Sequence, residues 1–247
     1  MQESEIWLTK LFNDYLAGVG NAFLGLVGIA PEARPWTNFI TVQLLVVAII
    51  LVVFALLRAR LSVNRPGIFQ QIFELLYEFI HGQTEEMVGH GGERYMAFFG
   101  TLFVFILFCN LIGIIPGFES PTMNASVPAG CAVATFLYYN IAGIQANGLM
   151  KHLGHFAGPI LWLAPLMIPI EIVSHLARPL SLTLRLFANM YAGEQVTTVF
   201  IGLTKLIIPV IFMGLHVFVS VLQAYIFMLL TMIYVGGAVA HEEQEEH

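Results

Sequence analysis

The sequence predicts an all-α membrane protein of about five membrane helices and one amphipathic helix, with the last two membrane segments unusually long. Three observations predict it. The 247 residues are 58% hydrophobic and only 11% charged, where soluble domains run at roughly 45–50% and 25%. The apolar residues fall in blocks of about 20 or more, the length needed to cross a bilayer core. Most charges lie between those blocks, but four sit inside the one over 159–201.

Residues 1–35 form an extramembrane or interfacial segment. Lys10, Asn13, Asp14 and Asn21 interrupt its apolar pattern, which suits a helix at the membrane surface better than a span. The start, Met-Gln-Glu-Ser-Glu, lacks the basic stretch of a cleavable leader. The membrane domain is expected over 36–240. Residues 38–57 are its first span, and Arg58, Arg60 and Arg65 follow. Basic residues beside a span mark the cytoplasmic side, so the N-terminus is expected outside. Pro66 then opens an amphipathic helix over about 67–88. Ile68, Phe69, Ile72, Phe73, Leu76, Phe79 and Ile80 share one face, as on a cytoplasmic surface or against another protein domain.

Residues 95–115 are the second span. The next loop holds Pro116, Gly117, Pro121, Pro128 and Glu119 without Lys or Arg, as an outer loop should. The third span covers 127–147, and Lys151, His152 and His155 after it suit the cytoplasmic side. Residues 159–201 and 206–238 are the long segments, with Pro159, Pro165, Pro169 and Pro179 in the first. Each could be a broken span or one long tilted helix. An acidic tail, 241–247, is expected in the cytoplasm. No internal repeat is visible.

Arg185 is the most informative single residue. Arginine does not shed its proton, and placing it at a bilayer centre costs about 3 kcal/mol or more. It persists only opposite a partner charge or a wet cavity. At about 100° per residue, Glu171, Ser174, His175, Arg178, Arg185 and Asn189 fall within about 60° of one helical line. Glu194 points about 180° from Arg185. In the last segment His216, Ser220, Gln223 and Tyr234 share a face. Two such stripes suit passage of protons or cations, because His and Glu can bind and release protons. A lone Ser, Asn or Gln in a span is ordinarily a helix–helix hydrogen bond. Arg178, beside Pro179, is read as structural or interfacial.

Other classes are excluded or weak. A net charge of −6 leaves no basic face for nucleic acid. Cys109 and Cys131 lie in apolar runs and read as small buried hydrophobes. His241 and His247 are six apart, not the four of a zinc helix. Asn124-Ala-Ser126 fits a glycosylation acceptor, a pattern common by chance. No phosphate loop, dinucleotide fingerprint or nucleophile elbow is present, so no cofactor is expected and the chain is not catalytic alone. An intramembrane enzyme would need a constellation the sequence lacks. A secondary ion-coupled transporter is the alternative class, against which stands the lack of repeated halves.

The segment PLSLTLRLFANMYAGE (179–194) resembles the signature of the subunit a family of the bacterial F-type ATP synthase. The resemblance extends through FFGTLFVFILFCNLIGIIPGF (98–118) and HVFVSVLQAYIFMLLTMIYV (216–235), and covers about 36–240. It implies that the last two helices form a tilted hairpin along the rotor ring. It implies a stator channel of two offset half-channels in the bacterial inner membrane. The implied partners are the ring of c subunits, the b-type stator subunits, and the F1 ATPase head through the complex. Arg185 matches the essential arginine facing the rotor carboxylate, and Asn189 and Gln223 match its polar neighbours. Glu194 and His216 match the outer half-channel, while Glu171 and Ser174 match the inner one. His175 fits the same face. The Glu194 and His216 pair leans towards protons as the coupling ion.

Overall fold

The computed structural model describes residues 5–28, 30–63, 65–89, 91–115, 117–155, 164–203 and 207–239. Seven α-helices follow in order among them: α1 Trp7–Val27, α2 Asn38–Ala59, α3 Ile68–Val88, α4 Glu93–Ile112, α5 Ser126–His155, α6 Ala164–Leu203 and α7 Ile207–Val239. A single 3-10 turn, Pro121–Met123, sits between α4 and α5. The first residues of the expected fourth span, 159–163, and the acidic tail, 241–247, lie outside the described residues.

Four helices are long and apolar enough to cross a bilayer: α2, α4, the Ser126–Gly148 part of α5, and the Val210–Val239 part of α7. The third ends where Gly148 takes φ 74°, a left-handed conformation that glycine adopts without steric penalty. The fourth expected span differs. α6 is helical for 40 residues, but Glu171, Arg178, Arg185 and Glu194 are spread along it. Its apolar stretches are therefore cut short by charge. Pro169 and Pro179 lie inside it without ending it. Each proline leaves the carbonyl four residues before it without its helical donor. Just past Pro179 the Ser181 hydroxyl donates to the Arg178 carbonyl at 3.0 Å and that of Thr183 to Pro179 at 2.8 Å, back-bonds within the helix.

α7 is the hub, packing on α3, α4, α5 and α6. Its buried positions Ala224, Phe227, Met228, Thr231, Met232 and Val235 recur at three- and four-residue steps, so one stripe faces the bundle. On α6 the matching stripe is Leu182, Leu186 and Met190, each fully or almost fully buried. Lipid is as apolar as leucine, so helices here associate through close packing and interhelical hydrogen bonds. Both are present. A Cβ on Gly236 would lie 2.5 Å from the Met87 carbonyl oxygen, so α7 and α3 meet backbone to backbone. Tyr225 Oη donates to Gln83 Oε1 at 3.0 Å, and Asn147 Nδ2 to the Ala238 carbonyl at 2.8 Å.

α3 departs from the face read in the sequence. Of that apolar stripe only Ile80 is buried, while Ile68, Phe69, Ile72 and Phe79 stay exposed. A polar clasp joins the helix to the preceding loop instead. The buried Gln70 donates to the Ser62 carbonyl and to Glu74 Oε1, and accepts from the Ser62 N–H. The open apolar stripe is what a helix lying on a membrane surface presents to lipid. α1 is likewise held by amides. Asn13 exchanges two 3.0 Å hydrogen bonds with the Trp36 backbone, and Asn21 exchanges two with Glu32.

Candidate functional site: a polar seam on α6 and α7

The single stripe expected on α6 divides into three environments. Near its start, Glu171, His175 and Arg178 form a cluster. Glu171 Oε1 lies 3.5 Å from His175 Nδ1 and 4.0 Å from the Arg178 guanidinium. The His175 ring packs edge-on against Phe136 and tilted against Tyr139 of α5. Arg178 lies over Tyr234 of α7 at 5.2 Å and over Tyr139 at 5.9 Å. An aromatic face attracts a cation by its quadrupole, so Arg178 is held by two rings and one carboxylate. Ser174 sits half-buried on the same helical face. The structural role read for Arg178 thus has specific partners, and it connects to Glu171.

The middle of α6 differs. Arg185 is exposed, and among the described residues it makes no ion pair and no side-chain hydrogen bond. One turn on, Asn189 Nδ2 donates to Gln223 Oε1 of α7 at 2.8 Å. Gln223 is buried, and its own Nε2 has no protein partner among the described residues. The amide pair therefore crosses the seam beside a fixed, unneutralised positive charge on an outward face.

The third environment lies past Arg185. Glu194 is half-buried and makes no ion pair or hydrogen bond among the described residues. His216 of α7 is buried, 6% exposed. Its ring is hydrogen-bonded to the Gly193 backbone, and its Nε2 has no protein partner among the described residues. A Cβ at position 193 would come within 3.1 Å of His216 Nδ1. Glycine is what lets the imidazole sit there. No direct hydrogen bond joins Glu194 and His216 among the described residues. They are brought together through the glycine that precedes Glu194, on the side of α6 turned from Arg185. Beyond them the stacked rings of Phe200 and Phe212, 4.1 Å apart, pair α6 with α7.

Sequence reasoning missed a buried polar chain that approaches this third environment. Ser120 Oγ and Thr122 Oγ1 lie 2.7 Å apart, and Thr122 Oγ1 donates to Asn110 Oδ1 at 2.7 Å. Asn110 Nδ2 donates to the Ser220 carbonyl at 3.3 Å. Ser220 is one turn from His216. All four members are buried. The available signal was Asn110 itself, an amide inside the apolar run of the second span.

Fold and seam define a helical membrane protein whose two longest helices carry ionisable groups on both sides of an unpaired arginine. The chain belongs to the ATP synthase A chain family, whose model matches residues 40–236. It is 72% identical over 232 residues to ATP synthase subunit a of Solibacter usitatus, covering 94% of this chain and 100% of that one. It is 46% identical over 239 residues to ATP synthase subunit a of Koribacter versatilis, covering 96% and 98%. With ATP synthase subunit a 1 of Syntrophotalea carbinolica the identity is 45% over 183 residues, 74% and 77% of the two chains. The chain is thus a component of the proton-translocating membrane sector, which does not itself carry the catalytic sites.

Proposed function

We propose that the chain is the stator half of the proton channel, with two offset aqueous half-channels separated by Arg185. The observation that carries this reading is the state of Arg185: a permanent cation, exposed, and without an ion-pair partner among the described residues. A lipid-embedded arginine of this kind calls for a carboxylate on another subunit. The ring of c subunits supplies one per protomer in this reading. A carboxylate reaching Arg185 is favoured in its ionised form by the adjacent charge and discharges its proton. The same charge repels protons that would run straight from one half-channel to the other.

In this reading each half-channel takes one side of Arg185. Glu171 lies 14 residues before Arg185 and Glu194 nine after, which is roughly 20 Å and 13 Å along a helix at 1.5 Å per residue. Glu171, Ser174 and His175 serve the cytoplasmic path. Glu194 and His216 serve the outer path, with the Ser120–Thr122–Asn110 chain leading towards it from the loop before α5. Asn189 and Gln223 brace the seam beside Arg185. In this arrangement the N-terminus lies outside, the C-terminus lies in the cytoplasm of a bacterial cell, and α6 joins the four apolar helices in the membrane. The b-type stator subunits hold the chain against rotation, and the F1 head makes ATP.

The test is proton flux in inverted vesicles carrying the assembled complex with Arg185→Ala. Loss of ATP-driven acidification, with passive leak retained or raised, is the expected result. Normal ATP-driven pumping in an assembled complex would overturn the assignment of Arg185 as the gate.

A further inference from the structure

On the side of α4 turned to α2 and α3, the three helices line an open-sided cavity of about 810 Å³. Its walls are almost wholly apolar, among them Leu51 and Phe54 of α2, Tyr77 of α3, and Ala97 and Val104 of α4. An engineered cavity of about 150 Å³ takes up benzene, with six carbons. In proportion, this one holds on the order of 30 carbons, the hydrocarbon of two acyl chains. The volume matches lipid tails, and the wall residues Leu51, Phe54 and Tyr77 are exposed on its open side.

The lining itself holds one charged residue, Glu93, and the basic residues follow where the α2 wall ends. Val47, Leu51 and Phe54 form the α2 wall, and the same helical face returns at position 58, eleven residues from Val47 and about 20° off its line. Arg58 therefore continues the wall at the end of the helix. Arg60 caps α2, and Arg65 follows in the loop that Gln70 clasps to α3. None of the three makes an ion pair or a side-chain hydrogen bond among the described residues. The nearby acids are engaged: Glu93, which lines the cavity, lies 3.3 Å from His81 Nε2, and Glu74 accepts from Gln70. A smaller cavity of about 400 Å³ shares Thr101 and Phe105 with this one and lies further from the end of α2 that carries the arginines.

We propose that the α2–α3–α4 cavity binds an anionic phospholipid, its acyl chains between the helices and its phosphate on Arg58, Arg60 and Arg65. Basic residues at a membrane surface favour anionic headgroups, and pockets between helices are where such lipids lodge. The lipid fills the space under the α3 clasp and ties α3 to α2 and α4. The site stands apart from the α6–α7 seam and does not depend on its assigned role.

The experiment uses the assembled complex in phosphatidylcholine vesicles containing a minor fraction of photoactivatable probe lipid. The diazirine is on an acyl chain, and the headgroup is phosphatidylglycerol or phosphatidylcholine at equal fraction. Mass spectrometry maps the labelled residues. Cavity residues such as Phe54, Tyr77 and Met96 should label more strongly with phosphatidylglycerol, by about fivefold for each engaged arginine. Arg58→Gln with Arg60→Gln should reduce that labelling to the phosphatidylcholine level without disturbing labelling of Val52, which is exposed about 140° round α2 from Val47. Ala97→Trp, which fills the space, should remove cavity labelling for both probes. Equal labelling by both headgroups, or no effect of the arginine substitutions, would reduce the site to ordinary bulk lipid. Absence of lipid label, with cross-links instead to a helix of a neighbouring subunit, would make the cavity a protein interface and overturn the proposal.

Discussion

Replacing Gly193 by alanine tests the seam with the smallest possible perturbation. The added methyl would sit 3.1 Å from His216 Nδ1 and 3.4 Å from Cε1. Ordinary contact begins near 3.4 Å, so the ring must yield by about 0.3 Å. It is buried at 6% exposure and has little room to do so. Overpacking of this kind costs about 1–3 kcal/mol. Alanine also gains about 0.8–1.0 kcal/mol over glycine in a helix, which offsets much of the strain as far as assembly is concerned. The position of the ring enjoys no such offset. If proton transfer needs the ring where it now lies, the population in that place falls by about 5- to 150-fold, the equivalent of 1–3 kcal/mol. ATP-driven acidification of inverted vesicles should fall within that range while the complex still copurifies whole. Gly130→Ala, which has open space around it, is the control and should pump normally. In a His216→Ala background the methyl finds space, and Gly193→Ala should alter residual flux by no more than about twofold. Wild-type pumping by assembled Gly193→Ala would refute the reasoning, because the ring would then tolerate displacement without consequence.

Three further outcomes follow from the same contacts. Asn189→Leu and Gln223→Leu should be non-additive in thermal stability of the solubilised complex, with a coupling of about 0.5–1.5 kcal/mol for the 2.8 Å hydrogen bond; simple additivity would show the pair to be independent. Arg178→Lys should retain most proton flux and Arg178→Gln should lose it, while Tyr234→Phe is tolerated and Tyr234→Leu weakens the cation's hold; equal effects of Lys and Gln would dismiss the cation–ring contact. At the N-terminal segment, the hydrogen bond and charge of Glu5 raise the Arg34 guanidinium above its usual value. A raised group contributes fully below its unfolded value and loses that contribution only as pH rises through the folded one, so between pH 6 and 9 Arg34 adds no pH dependence. Protease protection of α1 should therefore stay flat across that range and should drop on Asn13→Leu, which removes both hydrogen bonds to Trp36.

The helices were legible because their period and their length are properties of the sequence alone. The apolar blocks marked α2, α4, α5 and α7 within a few residues, and Arg185 announced itself by its charge. What escaped depends on partners distant in the chain. One helical line placed Glu171, Arg178 and Arg185 together, yet Tyr139 and Tyr234 draw Arg178 inward while Arg185 faces out. No angle within α6 encodes the rings of α5 and α7. The same limit hid Asn110, whose role is set by Thr122 in a turn and Ser220 in another helix. On α3 the pattern identified a real apolar stripe but said nothing of what would cover it. The buried Gln70, which is no part of that stripe, ties the helix to the preceding loop.

The exposed, unpaired guanidinium of Arg185 also bears on how the complex is made. A newly inserted chain that has not met a rotor ring holds that charge against lipid, at about 3 kcal/mol, or about 150-fold in its settled population. Whatever binds the folded form raises its apparent stability by mass action, and a ring carboxylate at this position does so with each protomer that passes. Orphan copies are left with α6 as their least settled membrane segment, the one most readily reached by a membrane-bound protease. Subunit stoichiometry would then be enforced by turnover of the excess, and the arginine proposed as the gate would also register correct assembly.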